Sequence, residues 1–326
     1  MPAHLPDLAC PAFVPLVSCV AEFNSIAIVG SGALGTYYGA RLALAGCDVR
    51  FLMRNDLAHV RAHGVKLVDD AGSHALFPVK AFGTTAEIGP VDLVFITLKT
   101  TVNYELARLL PPLLHDQTLV VTLQNGLGNE ELLASLVGAG RTMGGLCYVG
   151  ANRTASGEIT CKYPGAMVLG ELTGPAKERT HAVAALFVPL GVRCTAEDSL
   201  GQARWRKLVW NIPFNGLAVA AGGITTDRIL GSPPLAARVR RLMDEVAGGA
   251  RALGYEIPEP FIREQIDRTP ALGAYPPSTL VDCLAGREME IEAIWGEPLR
   301  RGEAAGVAMP ELARLYQELK AAGGQK

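Results

Sequence analysis

A glycine-rich turn between a short strand and a helix constrains the fold of this chain more than any other feature of its sequence. The turn is the hexapeptide GSGALG, made of Gly30, Ser31, Gly32, Ala33, Leu34 and Gly35. It follows the β-rich run 26–29 and opens the helical stretch 33–44, an order typical of the first βαβ unit of a parallel sheet. In such units Gly30 permits the tight turn, Gly32 lets the backbone approach a pyrophosphate, and Gly35 lets the helix pack close to the strand. We therefore expect this turn to bind a dinucleotide; the alternative is a loop that only connects two elements.

The end of the second predicted strand, 49–53, indicates which dinucleotide is bound. An NAD-dependent enzyme places an acidic side chain about 20 residues after the glycine turn, where it bonds the 2′-hydroxyl of the ribose. Arg54 stands at this point, and a guanidinium can form charge-assisted hydrogen bonds with a 2′-phosphate that a carboxylate would repel. The sequence therefore predicts NADP(H) as the cofactor. The alternative interpretation of Arg54 is a solvated charge at the end of a strand.

The order of the predicted elements indicates an α/β fold with two domains, in keeping with a length of 326 residues. Further strands are predicted over 91–98, 118–123, 143–149 and 192–195, with a hairpin over 156–170 and a helix over 177–188. After about residue 198, helical periodicity prevails, over 200–219, 235–253, 260–268, 280–294 and 310–321. We predict a leader outside the core over 1–23, an NADP-binding Rossmann-type domain with a parallel sheet over 24–197, and a mainly α-helical substrate and catalytic domain over 198–326.

Composition and charge argue against several classes of function. With 30 Lys and Arg against 32 Asp and Glu, the net charge is −2, so the chain lacks the positive field that holds a nucleic-acid backbone. The seven cysteines show no C-x-x-C spacing, which disfavours a metal site or a disulfide framework and favours a reduced, cytoplasmic chain. No apolar run is long enough for a membrane span. The leader has no Lys or Arg before its apolar part and four prolines within it, so an untethered leader or an early start codon is favoured over a signal peptide.

Polar residues follow two of the predicted strands. Lys99 comes directly after the strand 91–98, and Asn125 lies in the turn after the strand 118–123. Because ligands of open parallel sheets bind beyond the carboxyl ends of the strands, we expect Lys99 near the adenosine phosphate and Asn125 near the nicotinamide. For each residue the alternative is an ordinary position in a loop.

The segment WRKLVWNIPFN at 205–215 places polar side chains on an otherwise apolar helix. Lys207, Asn211 and Asn215 are four residues apart and share one helix face. One ammonium and two carboxamides are costly on a buried face unless a polar ligand binds there. Reduction of a carbonyl also needs a positioned proton donor, and the predicted helical domain contains no histidine. The alternative is an exposed polar stripe on an amphipathic helix.

From about residue 24 to residue 319 the chain resembles the ketopantoate reductase (2-dehydropantoate 2-reductase) family. Six motifs in the same order carry the resemblance: GSGALG at 30–35, Arg54, LK at 98–99, QNGLG at 124–128, WRKLVWNIPFN at 205–215 and GREMEIE at 286–292. The resemblance implies the NADPH-dependent reduction of 2-dehydropantoate, a small 2-keto acid, to pantoate in pantothenate biosynthesis.

The resemblance also implies roles for single residues. Lys207 takes the position of the proton donor, and Asn211 and Asn215 take those of substrate-binding amides. Ser278, which also fits a helix N-cap, takes the position of the serine that holds the substrate carboxylate. Three further residues match positions that contact the cofactor, namely Asn125 (shared with the substrate), Ala151 (through its backbone) and Glu290.

The chain departs from the family pattern at two positions. Thr225 is the residue nearest to the position of a further substrate-binding Asn, and Met289 stands where a Thr is common. Thr keeps one hydroxyl but loses the donor–acceptor pair of an amide, so a looser pocket could admit other 2-keto acids.

The predicted mechanism transfers hydride to C2 of the keto acid while the Lys207 ammonium protonates the oxygen. Two alternatives stay open. One is a related NADP-dependent enzyme that acts on another 2-keto or 3-hydroxy acid or on a polyol phosphate. The other is a non-catalytic NADPH-binding sensor, although the complete polar row on the 205–215 helix argues against it. The apolar helix faces are also compatible with a homodimer.

Overall fold

The computed structural model describes residues 23–70, 72–161 and 165–323, which cluster into two compact units. The first unit runs through Leu98 and includes Glu105–Leu123 and Leu133–Asp198. The second unit consists of Lys99–Tyr104, Gln124–Leu132 and the chain from Ser199 onward. Two short segments of the predicted first domain thus cluster with the second unit. The predicted leader, 1–23, lies outside the described residues except for the buried Phe23.

The strands of the described residues form two sheets. In chain order they are β1 (Ile26–Val29), β2 (Val49–Leu52), β3 (Val65–Asp69), β4 (Gly72–Leu76), β5 (Ala81–Phe82), β6 (Leu93–Ile96), β7 (Leu119–Thr122), β8 (Thr142–Tyr148), β9 (Ala151–Ala155), β10 (Glu158–Cys161), β11 (Ala166–Glu171) and β12 (Arg193–Ala196). An eight-stranded sheet has the order β12-β11-β8-β7-β6-β1-β2-β5, and a four-stranded sheet has the order β4-β3-β10-β9.

The eight-stranded sheet positions the glycine turn. All its neighbouring strands pair in parallel except β8 and β11. Every residue of the central strands β1, β6 and β7 is buried, as expected for strands that are covered on both faces. Since β1 pairs with both β2 and β6, the turn after β1 lies at the carboxyl edge of the sheet.

Helices account for most of the remaining structure. In chain order they are α1 (Ala33–Leu44), α2 (Leu57–His63), α3 (Thr85–Ile88), α4 (Leu106–Leu109), α5 (Asn129–Val137), α6 (Glu178–Ala185), α7 (Leu200–Ala220), α8 (Thr226–Leu230), α9 (Pro233–Ala252), α10 (Glu259–Arg268), α11 (Ser278–Leu284), α12 (Glu297–Ala304) and α13 (Pro310–Gly323). The long α7 is the centre of the second unit, where it packs against α9, α11 and α13. It runs through Pro213, and the Trp295 indole N–H donates to the Ile212 carbonyl at 3.0 Å.

The predicted α/β class, a Rossmann-type sheet followed by helices, is confirmed, but two predicted elements are wrong. The described strands within 156–170 do not pair with each other as a hairpin: β10 pairs with β9 and β3, whereas β11 pairs with β8 and β12. The hairpin turn lies instead between β9 and β10, at Gly157, whose φ of 68° suits glycine. The helix predicted over 280–294 ends at Leu284, because the chain turns at Gly286 with a φ of 68°.

Two further observations bear on the exclusions drawn from the sequence. In the part of the chain that the structure describes, Cys147, Cys161, Cys194 and Cys283 lie outside any disulfide. Among the described residues, no helix combines the length and the apolar character needed to cross a membrane.

Candidate functional site

The turn between β1 and α1 has the steric character of a phosphate cradle. Gly30 has a φ of 110°, and a Cβ there would collide with the backbone of Leu98. A Cβ on Gly35 would collide with the Gly30 carbonyl and the Thr97 hydroxyl. At Gly32, by contrast, a Cβ would meet no atom within 4 Å. The backbone is therefore tightly packed on its inner side and open at Gly32.

The same turn leaves the start of α1 open to an anion. Gly32 is the N-cap of this 12-residue helix, and no side chain caps it. The first N–H groups of a helix are orphan donors at the positive end of its dipole. Open space together with these donors fits a pyrophosphate. Ser31 lies in the turn, and Ala33 and Leu34 are the first two residues of α1; their contacts with a cofactor stay a prediction.

Arg54 follows β2 in this unit and is exposed. The Ser31 hydroxyl donates to the Leu52 carbonyl at 2.8 Å, which ties the glycine turn to the end of β2. Arg153, which sequence reasoning missed, donates to the Ser31 carbonyl at 3.0 Å. Ala151, at the start of β9, pairs with Cys161; its predicted backbone contact with a cofactor stays a prediction.

In the second unit, the polar face of α7 is engaged by neighbouring elements. The half-buried Lys207 ammonium donates to the Asn125 side-chain oxygen at 2.8 Å. Asn215 is only 2% exposed, and its side-chain oxygen accepts hydrogen bonds from the Ser278 hydroxyl at 3.2 Å and the Thr279 N–H at 3.0 Å. Asn211 lies between them in sequence and is half-buried. This face is therefore not a solvated stripe.

The loop that carries Asn125 is fixed to the helices by backbone and ionic contacts. Gly126 has a φ of 83°, and a Cβ there would collide with the Ala293 carbonyl, which accepts a hydrogen bond from the next backbone N–H. Arg204, one turn before Lys207 on α7, is 3% exposed, donates to the Gln124 carbonyl at 2.6 Å and pairs with Glu130. The contacts of Arg204 with Gln124 and Glu130 hold the loop in place, so the Asn125 oxygen has a defined position.

Two buried carboxylates surround Lys99 in this unit. The Lys99 ammonium pairs with Asp282 and lies 4.0 Å from Glu290 Oε2. Glu290 Oε1 also accepts from the Thr100 N–H at 2.9 Å, and Asp282 accepts from Arg287 Nε at 3.0 Å. Glu290 is a predicted site residue, whereas Asp282 was missed. The available signal was its spacing of four residues from Ser278, which places both on one face of α11.

Ser278 and Thr225 differ in detail from what their positions suggest. Pro277, not Ser278, occupies the N-cap of α11, and Ser278 is the first helical residue; the N-cap expectation is therefore wrong by one position. Its hydroxyl bonds Asn215 instead of the helix end. Thr225 is the N-cap residue of α8, where its hydroxyl donates to Asp227 and holds the pKa of that carboxyl below its usual range. Its predicted contact with a substrate remains a prediction.

Comparison with known proteins decides the family. The family model described as "Ketopantoate reductase PanE/ApbA" matches residues 26–174, and its C-terminal counterpart matches residues 199–323. The chain belongs to the ketopantoate reductase family. Its recognition from sequence motifs is thus confirmed, and so is its assignment to an oxidoreductase class.

Individual relatives agree with this assignment. A 2-dehydropantoate 2-reductase of Nostoc sp. is 36% identical over 304 residues, which are 92% of this chain and 95% of the relative. The crystal structure of 2-dehydropantoate 2-reductase from Geobacter metallireducens GS-15 is 42% identical, with a TM-score of 0.89 over 91% of this chain and 99% of that one. A ternary structure of D-mandelate dehydrogenase with NADH and anilino(oxo)acetate has a TM-score of 0.84 over 92% of this chain and 98% of that chain; at 22% identity it shows the fold alone.

Proposed function

We propose that this chain catalyses the NADPH-dependent reduction of 2-dehydropantoate to pantoate, with Lys207 as the proton donor. The observation that carries the proposal is the hydrogen bond of 2.8 Å between the Lys207 ammonium and the Asn125 oxygen, in a family whose relatives include 2-dehydropantoate 2-reductases. The same proposal includes NADP(H) as the cofactor, a cytoplasmic location and a place in pantothenate biosynthesis.

Lys207 supplies the acid that the chemistry requires. The reduced nicotinamide, when bound, supplies the hydride for C2 of the keto acid. A carbonyl oxygen that gains negative charge is stabilised by an adjacent ammonium and is then protonated by it. Asn125 is suited to orient this ammonium, since a neutral amide oxygen accepts a hydrogen bond without cancelling the charge.

Asn215 and Ser278 are suited to hold the rest of the substrate. The Asn215 oxygen already accepts two hydrogen bonds, which leaves its amino group to donate to an oxygen of the substrate. The exposed Ser278 hydroxyl can rotate from Asn215 to donate to a carboxylate. Asn211, four residues from both Lys207 and Asn215 on the same face, adds a further amide. We assign the substrate contacts to these side chains, to Asn125 and, in place of the usual amide, to Thr225.

The test is the consumption of NADPH by the purified chain with 2-dehydropantoate, compared with a panel of other 2-keto acids. We expect the highest kcat/KM for 2-dehydropantoate. A second candidate function, reduction of another 2-keto acid, is favoured by Thr225 and would show itself as a higher kcat/KM for a different member of the panel. No turnover with any keto acid, despite tight binding of NADPH, would contradict both and favour a sensor.

The role of Arg54 in cofactor choice is tested by Arg54→Gln. Loss of hydrogen bonds to a charged group costs about 1.5–3 kcal/mol, so the Kd for NADPH should rise roughly 10- to 150-fold while the Kd for NADH changes little. Both constants are measured from the fluorescence of the reduced nicotinamide. Arg108→Gln, at an exposed position on α4, is the matched control. Equal weakening of both cofactors would leave Arg54 without a role in selectivity.

A further inference from the structure

A second guanidinium lies beside the glycine turn in the first unit. Arg153 extends from β9, which packs against α1. One of its terminal nitrogens donates to the Ser31 carbonyl at 3.0 Å, and the other lies 3.1 Å from the Asp56 carboxylate. The side chains of Arg153 and Asp56 are 38% and 16% exposed. Arg153 therefore joins the glycine turn to the segment that follows β2.

Asp56 is an obstacle to the binding of a phosphorylated ribose. It is the N-cap of α2, two residues after Arg54, and its side chain makes no capping hydrogen bond. A carboxylate after the second strand favours an unmodified ribose, because it can accept a hydrogen bond from the 2′-hydroxyl, and it repels a 2′-phosphate. A cation paired with this carboxylate cancels much of that repulsion, and Arg153 is so placed.

Ser31 connects this ion pair to the position of Arg54. Its hydroxyl donates to the carbonyl of Leu52 at the end of β2, while its own carbonyl accepts from Arg153. The chain then passes from Leu52 to Arg54 within two residues. The neutralised carboxylate and the exposed guanidinium thus flank the end of β2.

We infer that Arg153 is a second specificity-determining residue for NADPH, which favours the 2′-phosphate by neutralising Asp56 next to Arg54. This inference rests on the proposed NADPH-dependent function and extends it. By this inference, the Asp56 carboxylate would favour a dinucleotide without the 2′-phosphate if its charge were not neutralised by the Arg153 guanidinium.

The experiment measures Kd for NADPH and for NADH with the full chain and four variants: Arg153→Gln, Arg153→Lys, Asp56→Asn and the double variant R153Q/D56N. We expect Arg153→Gln to raise the Kd for NADPH about tenfold and that for NADH less than about threefold, since one nearby charge pair at a partly exposed site is worth on the order of 1.4 kcal/mol. Arg153→Lys, which keeps the charge, should retain most of the selectivity. Asp56→Asn should leave the Kd for NADPH unchanged or lower, and the double variant should return it to within about threefold of the parent.

The outcomes separate the inference from the proposed function. A parent chain that binds NADH as tightly as NADPH would overturn both. A parent that prefers NADPH, with Arg153→Gln unchanged or equally weakened for both cofactors, would overturn the inference alone, because equal weakening indicates support of the Ser31 turn only. A double variant as weak as Arg153→Gln would also overturn it. Arg193→Gln, at an exposed position on β12, controls for the loss of a surface charge.

Discussion

Replacement of Lys207 by alanine is expected to lower kcat for the reduction of the keto acid by about 10²- to 10⁴-fold, the usual contribution of a positioned general acid. In the proposed mechanism, the Lys207 ammonium, which donates to the Asn125 oxygen, supplies both the proton and the charge that stabilises the developing alkoxide, and alanine supplies neither. Stopped-flow measurement of NADPH oxidation at saturating substrate gives kcat directly.

Two variants make this result specific. Lys207→Arg keeps the positive charge, but a guanidinium does not give up a proton at ordinary pH. Compared with Lys207→Ala, this variant should therefore regain more of the substrate affinity than of kcat. Arg206→Ala changes the adjacent, exposed residue, which lies over the ring of Phe261, and should leave kcat near that of the parent. A Lys207→Ala enzyme within a few-fold of the parent kcat would remove Lys207 from the role of proton donor.

Of the substitutions proposed for this chain, those that break the Arg204–Glu130 ion pair should cause the largest loss of stability. Both residues are buried, at 3% and 4% exposure. Arg204→Met would leave Glu130 as an uncompensated buried charge, which costs about 3–5 kcal/mol. The loss is measured as a lower urea midpoint of the second unit and a lower Tm. It should also reduce kcat, because Arg204 donates to the carbonyl of Gln124, the residue next to Asn125.

A double-mutant cycle distinguishes the buried charge from lost packing. With R204M/E130L both charges are replaced by apolar side chains, and the stability should recover much of the loss, as is common when a whole buried pair is replaced. Arg300→Met, which breaks exposed pairs with Glu292 and Glu297, should cost less than about 1 kcal/mol. If Arg204→Met lost no more stability than Arg300→Met, the buried Arg204–Glu130 pair would not have the stabilising role assigned to it.

Local patterns were sufficient for the elements around the glycine turn. The predicted helix 33–44 has the same bounds in the structure, because the glycines before it and the apolar strand preceding them are all encoded within one short segment. The four-stranded sheet was not predicted. Its strands β3 and β10 are distant in sequence and pair in parallel, and such non-local pairing leaves no periodic signal in either strand alone.

The candidate site divides in the same way. The spacing of Lys207, Asn211 and Asn215 is visible in the sequence because residues four apart share a helix face. Asp282 shares a helix face with Ser278 through the same spacing, but neither Asp282 nor Arg204 shows its ionic partner in the sequence: each looks like an ordinary charge until the tertiary fold brings it to a partner of opposite sign. The buried Arg204 in particular can be recognised only when Glu130, from another part of the chain, is placed against it.

The composition of the second unit determines when it can be completed during synthesis on the ribosome. Gln124–Leu132 and Lys99–Tyr104 belong to this unit but leave the ribosome long before α7. Glu130 therefore emerges before its counter-ion Arg204. A fragment that starts at Ser199 would contain Arg204 without the Glu130 carboxylate. The second unit cannot be obtained whole by cutting the chain between its two family-model matches, since Asn125, which accepts a hydrogen bond from Lys207, is encoded upstream of the cut.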